Sequence, residues 1–171
     1  LKGFDYNQQG CYFVTLCSVD REGIFGKICR DLMTLNRLRK LVDIELRKLK
    51  NRFNVRLDEY VIMPNHIHVI FQIVGAHHDA PNKKKIGGGV TNCEDRAIHE
   101  SPLHKHNKRS LLSKMIGYLK ASVSRKFGMQ IWQRNYFDRI IRNEEELNRV
   151  RQYINNNPRL WYRDRNNINR F

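Results

Sequence analysis

The chain has 171 residues, 40% hydrophobic and 29% charged, the balance of one folded domain with a core of its own. Its 32 Lys and Arg outnumber 17 Asp and Glu, for a formal charge of +15, and such an excess favours an anionic partner, with nucleic acid ahead of a membrane surface. No stretch approaches the ~20 apolar residues of a membrane span, no secretory-signal run opens the chain, and four cysteines without CxxC spacing argue against a zinc knuckle and fit a reducing cytoplasm.

Residues 11–19 are rich in β-branched and aromatic side chains and predict a strand. Gly23 and Gly26 mark a turn. From Asp31 to Lys50, Leu32, Leu35, Leu38, Val42, Leu46 and Leu49 recur at helical steps, which predicts an amphipathic helix with a basic outer face. Two strand-like runs follow, 53–63 and 66–74, joined by a Pro64-Asn65 hairpin connection. Residues 75–109 hold a lysine triplet, a glycine triplet and five of the seven histidines, and read as a long, basic, flexible loop. Leu111, Leu112, Met115, Ile116, Leu119 and Val123 predict a second helix. A short aromatic and apolar segment comes next. The last helix opens at Asn143, with Glu146 three residues on as in a capping box, and stops at Pro158. This order predicts an α+β fold: an antiparallel sheet of four to five strands with helices packed on it.

Alternate residues of a strand share a face. His66, His68, Ile70 and Gln72 therefore point one way, and Ile67, Val69, Phe71 and Ile73 point into the core. Two imidazoles on one face can converge on one metal ion, and they equally fit two half-exposed histidines at a strand end. The histidines at 77, 78, 99, 104 and 106 fall in the loop and read as solvated. On the last helix Tyr153 borders the stripe of Leu147, Val150 and Ile154, and Asn157 follows one turn later. By spacing alone the pair fits a nucleophile with a metal ligand, and also an ordinary helix edge.

A resemblance adds to this reading. Met63-Pro64-Asn65-His66-Ile67-His68-Val69-Ile70 resembles the HUH motif, His-hydrophobic-His, of single-tyrosine transposases. The segment from Trp132 through Tyr136-Phe137-Asp138-Arg139 to Glu144, and then Tyr153-Ile154-Asn155-Asn156-Asn157-Pro158, is similar to the tail of the REP-associated tyrosine transposases. Phe4-Asp5-Tyr6 and Phe13-Val14-Thr15 also fit. The likeness runs from about residue 3 to 162, outside the 75–109 loop.

The resemblance implies a single HUH transposase domain over 1–171, with the ferredoxin-like HUH nuclease fold. It implies Tyr153 as catalytic nucleophile, with His66, His68 and Asn157 holding Mg²⁺ or Mn²⁺. The reaction it implies is single-stranded DNA cleavage and strand transfer through a 5′-phosphotyrosine, in transposition or in processing of REP hairpin elements. The expected partner is single-stranded or hairpin DNA, bound by a monomer or homodimer without a membrane. Lys114, Lys120, Arg125, Lys126, Arg134, Arg139 and Arg142 are the expected DNA contacts, and Trp132, Tyr136 and Phe137 could stack on bases or belong to the core. Three alternatives stay open: a Rep-like or relaxase-like nickase, a non-catalytic hairpin-binding protein, and a metal-dependent hydrolase using Asp58 or Glu59.

Overall fold

The computed structural model describes residues 8–29, 32–34, 36–74 and 109–167. The Phe4-Asp5-Tyr6 opening and segment 75–108, with its reading as a flexible loop, lie outside the described residues. In chain order the elements are β1 (Gly10–Cys17), β2 (Ile28–Cys29), β3 (Leu32–Met33), α1 (Arg37–Phe53), β4 (Val55–Ile62), β5 (His66–Ile73), α2 (Leu111–Phe127), β6 (Phe137–Ile141) and α3 (Glu144–Asn156). Short 3₁₀ turns follow β1 and α3, at Val19–Arg21 and Trp161–Arg163. The fold is α+β. One antiparallel sheet runs β4-β5-β1-β6, and β2 and β3 pair apart from it.

Parity along β5 divides the molecule into layers. Ile67, Val69 and Phe71 are wholly buried in one cluster with Val42 and Leu46 of α1 and with Met115 and Leu119 of α2. Burying each such side chain contributes about 1.5–3 kcal/mol. Ile70, on the opposite face, packs instead with Ile141, Leu147 and Ile154 beneath α3. Two helices therefore cover one face and the tyrosine-bearing helix covers the other. Both faces of β5 are buried, because α3 and the turn after it close over the histidine face as well.

Helix boundaries follow their caps. Helix α1 begins at Arg37, not at Asp31. The Asn36 side chain accepts from Arg39 N at 2.8 Å, and Leu32 is taken into β3. Helix α2 ends where Gly128 adopts φ 84, a left-handed conformation that glycine accepts without strain. At α3 the Asn143 side chain accepts from Glu146 N as expected, but the Glu146 carboxylate accepts from Arg142 N, one residue beyond the Asn143 N of a reciprocal box. The Pro64-Asn65 hairpin forms as predicted, with Met63 N donating to His66 O. In β4, Leu57 and Tyr60 both lie opposite core-face residues of β5 although three apart, so a bulge holds Asp58 and Glu59 between them. That irregularity frees Asp58 to turn toward α3.

Candidate active site

The turn before β5 decides how His66 is presented. Asn65 Nδ2 donates to the carbonyls of Arg21 (2.8 Å) and Asn166 (2.7 Å), which makes its Oδ1 the acceptor. His66 Nδ1 therefore carries the proton and donates it to that Oδ1, 2.9 Å away. Nε2 is left as the bare nitrogen, buried and with no hydrogen-bond partner among the described residues. Asn157 Oδ1 is orphaned in the same way. An unpaired buried acceptor costs about 1–3 kcal/mol, so two of them around one site call for a cation or a donor.

His68 lies beside His66, with ring centroids 4.4 Å apart. Its Nδ1 is hydrogen-bonded to Thr15 Oγ1 of β1 at 2.8 Å, and its Nε2 stands 3.2 Å from Tyr153 Oη. Burial pushes both imidazolium pKa values down to about 3; Arg21 adds to the effect at His66, and His66 adds to it at His68. Both rings are therefore neutral, with lone pairs to offer. Burial likewise raises the Tyr153 phenol, Asp164 adds to that rise, and Asn157 and Arg165 oppose it.

The fold thus brings together all four residues expected from the sequence. Tyr153, His68 and Asn157 line one open cavity of about 1150 Å³, and His66 is buried behind His68. A further member is Asp164, in the turn after α3. Its Oδ2 lies 3.8 Å from His66 Nε2, and the ligand atoms of His66, His68 and Asp164 all fall within 4.8 Å of one another. Two imidazoles, a carboxylate and an amide oxygen suit a divalent ion of the Mg²⁺ and Mn²⁺ type, with the nitrogens favouring Mn²⁺. Asp164 carries no motif and no periodicity that would mark it in the sequence. Asn65 falls within the motif around the histidines, but its role in fixing the His66 tautomer depends on two carbonyls from distant turns.

Asp58, one of the two carboxylates weighed for a hydrolase, is engaged with α3. Arg151 of α3 forks onto it, with Nε to Oδ1 at 2.7 Å and Nη2 to Oδ2 at 2.6 Å. This bidentate pair fastens the tyrosine helix to β4 of its own chain, so Tyr153 reaches His68 within one chain. Arg151→Ala and Asp58→Ala are each expected to lower the thermal midpoint by about 3 °C, the equivalent of ~1 kcal/mol. The double variant should be no worse than either; additive losses would show that the two side chains do not act as a pair.

The predicted DNA contacts divide by layer. Lys114, Lys120, Arg125 and Lys126 belong to α2, across the sheet from His68. Lys120 is engaged within the fold: its Nζ donates to the carbonyls of Gln133, Arg134 and Asn135 at 2.8–3.2 Å, which ties the chain before β6 to α2. Lys126 is paired with Glu45 at 2.7 Å. Lys114, Arg125, Arg134 and Arg142 are exposed. Arg139 does line the cavity, where it meets Glu146 at 2.6 Å. The other basic groups around the cavity, among the described residues, are Arg21 from the turn after β1, Arg149 from α3, and Arg163 and Arg165 from the segment after α3; the sequence did not single them out because no local spacing links these three segments.

No family model matches the chain. An uncharacterized protein of Haemophilus influenzae is 33% identical over 96% of this chain and 88% of its own length. Among solved structures, a REP-associated tyrosine transposase bound to a REP hairpin superposes with a TM-score of 0.60 over 92% of this chain and 72% of that one, at 16% identity. The likeness at that identity is one of fold. Among the described residues, no helix is long and apolar enough to cross a membrane.

Proposed function

The chain belongs to one family with the Haemophilus influenzae protein, and from that premise we propose that it is a DNA-processing enzyme of the tyrosine-transposase kind, a single domain that cuts and rejoins single-stranded DNA beside a hairpin. One observation carries the reading: Tyr153 Oη stands 3.2 Å from His68 Nε2, beside His66, whose bare Nε2 has no hydrogen-bond partner among the described residues. The +15 charge and the fold shared with a hairpin-bound tyrosine transposase support DNA as the partner.

In this reading the Tyr153 phenol oxygen attacks phosphorus and gives up its proton. A bond forms between the phenol oxygen and phosphorus, and the bond from phosphorus to the 3′ oxygen breaks. The products are a 5′-phosphotyrosine and a 3′-hydroxyl, which takes a proton as it leaves. One phosphodiester is exchanged for another, so attack by an incoming 3′-hydroxyl rejoins strands. His66, His68, Asp164 and Asn157 would hold the divalent ion. When bound, such an ion polarises the phosphate and neutralises the charge that develops on the leaving oxygen. The chain itself keeps both imidazoles neutral by burial, holds His66 in one tautomer through Asn65, and positions the phenol through α3.

The test is incubation with end-labelled single-stranded hairpin DNA and Mn²⁺. A protein–DNA adduct that survives denaturation, maps by peptide mass to the segment holding Tyr153 and disappears with EDTA is the expected result. Stable hairpin binding with no adduct at any metal concentration would replace this reading with that of a non-catalytic hairpin-binding protein.

A further inference from the structure

Trp132 and Tyr136, two of the three aromatics near β6, are used inside the fold. Trp132 is 4% exposed and packs on Phe25, with ring centroids 5.2 Å apart. Tyr136 is half-buried, its hydroxyl 3.1 Å from Ser113 Oγ. Phe137 is different: it is 63% exposed. An exposed phenyl ring costs hydration free energy and packs nothing, so its position is informative.

Strand register gives that position. Phe137 lies directly opposite Thr15 in β1, and Thr15 lies directly opposite His68 in β5. Residues directly opposite in a ladder share a face, and the Thr15–His68 hydrogen bond places that face at the active site. Phe137 therefore stands two strands from His68 on the same side, on the outer strand of the sheet, and lines the cavity that Tyr153 lines. Around it Leu160 is 45% exposed. Arg149, whose side chain is 67% exposed, comes no nearer than 3.9 Å to Glu145, itself 81% exposed.

We infer that Phe137 is the platform of a base-binding subsite, on which one unpaired nucleobase next to the scissile phosphate stacks. Arg149 and its neighbouring arginines take the adjoining phosphates. The inference rests on the DNA-processing reading above and adds where a base of the single strand is held: an open phenyl face needs an open base face, which a paired and stacked duplex does not present. Carboxylates at Asp138, Glu146 and Asp164 also line the cavity, but Arg139 neutralises Glu146 at 2.6 Å, and Arg21, Arg149, Arg163 and Arg165 outnumber the other two. The cavity's balance stays basic, as a phosphodiester chain requires.

The test uses the full chain with two probes, a mixed-sequence single-stranded oligonucleotide and inorganic polyphosphate. Phe137→Leu should bind the oligonucleotide about tenfold more weakly, toward the low end of what one stacked base contributes, with polyphosphate affinity unchanged. Phe137→Trp should keep wild-type affinity, and its added indole should be quenched by the oligonucleotide and not by polyphosphate. Wild-type oligonucleotide affinity in Phe137→Leu, equal losses for both probes, or an unquenched indole would each overturn the subsite. None of these readouts needs the covalent step. A chain that stacks a base but forms no adduct leaves the subsite standing and removes the catalytic reading, whereas an adduct with unchanged Phe137→Leu binding does the reverse.

Discussion

Tyr153→Phe is expected to bind single-stranded hairpin DNA as the unaltered chain does and to form no covalent adduct with it. The substitution removes one oxygen. That oxygen is hydrogen-bonded with His68 Nε2 at 3.2 Å, and a neutral hydrogen bond of this kind contributes about 1 kcal/mol or less at a position 44% exposed. The ring keeps its edge-on contact with Phe13, centroids 6.1 Å apart at 87°, and its place 5.2 Å from His68. Fold and binding should survive, and the adduct should fall at least ~1,000-fold, below detection on a denaturing gel, because the nucleophile itself is gone. Four other described tyrosines make useful controls. Tyr60 donates to Asp43, Tyr136 is bonded to Ser113, and Tyr12 is buried and donates to Gln8. Tyr162 is 59% exposed in the turn that carries Asp164. An adduct that persists in Tyr153→Phe and is lost in Tyr162→Phe would move the nucleophile to that turn.

Glu45→Gln is expected to lower the thermal midpoint at neutral pH by about 6 °C, the equivalent of ~2 kcal/mol in a chain of this size. Glu45 is 1% exposed and lies in α1 against α2. Burial alone would push its carboxyl up. Three donors outweigh that: Lys126 Nζ at 2.7 Å, Ser122 Oγ at 2.6 Å and Lys48 Nζ at 2.9 Å hold it at about 2. The folded value lies below the ordinary 4.5, so the stabilisation is fully present above that value and is lost as pH falls from about 4.5 toward 2. Taken whole, the shift corresponds to ~3 kcal/mol. The two lysines are about half exposed, and solvent screening at their end reduces it. The difference between wild type and variant should stay constant from pH 7 to about 5 and shrink below 4. His66 and His68 also lose their neutral-state stabilisation as acid charges them, but equally in both proteins, so the difference isolates Glu45. A midpoint difference that ignores pH would show that the cluster acts through packing alone.

Much of the fold was legible along the chain because its signals are local. Period-two alternation in 66–73, leucine spacing in α1 and α2, and the Asn143 cap each depend on residues a few positions apart. Where a local signal was ambiguous, tertiary pairing decided. Leu32 continues the leucine series of α1 in sequence, yet it belongs to β3, since pairing with β2 and the Asn36 cap outweigh a marginal helical turn. The basic residues were legible as a total and not by role. A lysine on α2 looks the same in sequence whether its ammonium faces solvent or, as at Lys120, three backbone carbonyls.

For the site, the amino-acid sequence by itself determined that His66 and His68 share a strand face and that Tyr153 and Asn157 share a helix edge. Both follow from backbone periods that any strand or helix imposes. Only the tertiary structure decided that those two surfaces meet, across 85 residues between Tyr153 and His68, and that Asp164 joins them. It also decided which His66 nitrogen is bare, because the Asn65 amide that sets the tautomer is keyed by the carbonyl of Asn166, 101 residues away. Contacts of that range leave no period in the chain: they come from which layers a shared sheet brings together, and from the need of every buried polar group for a partner.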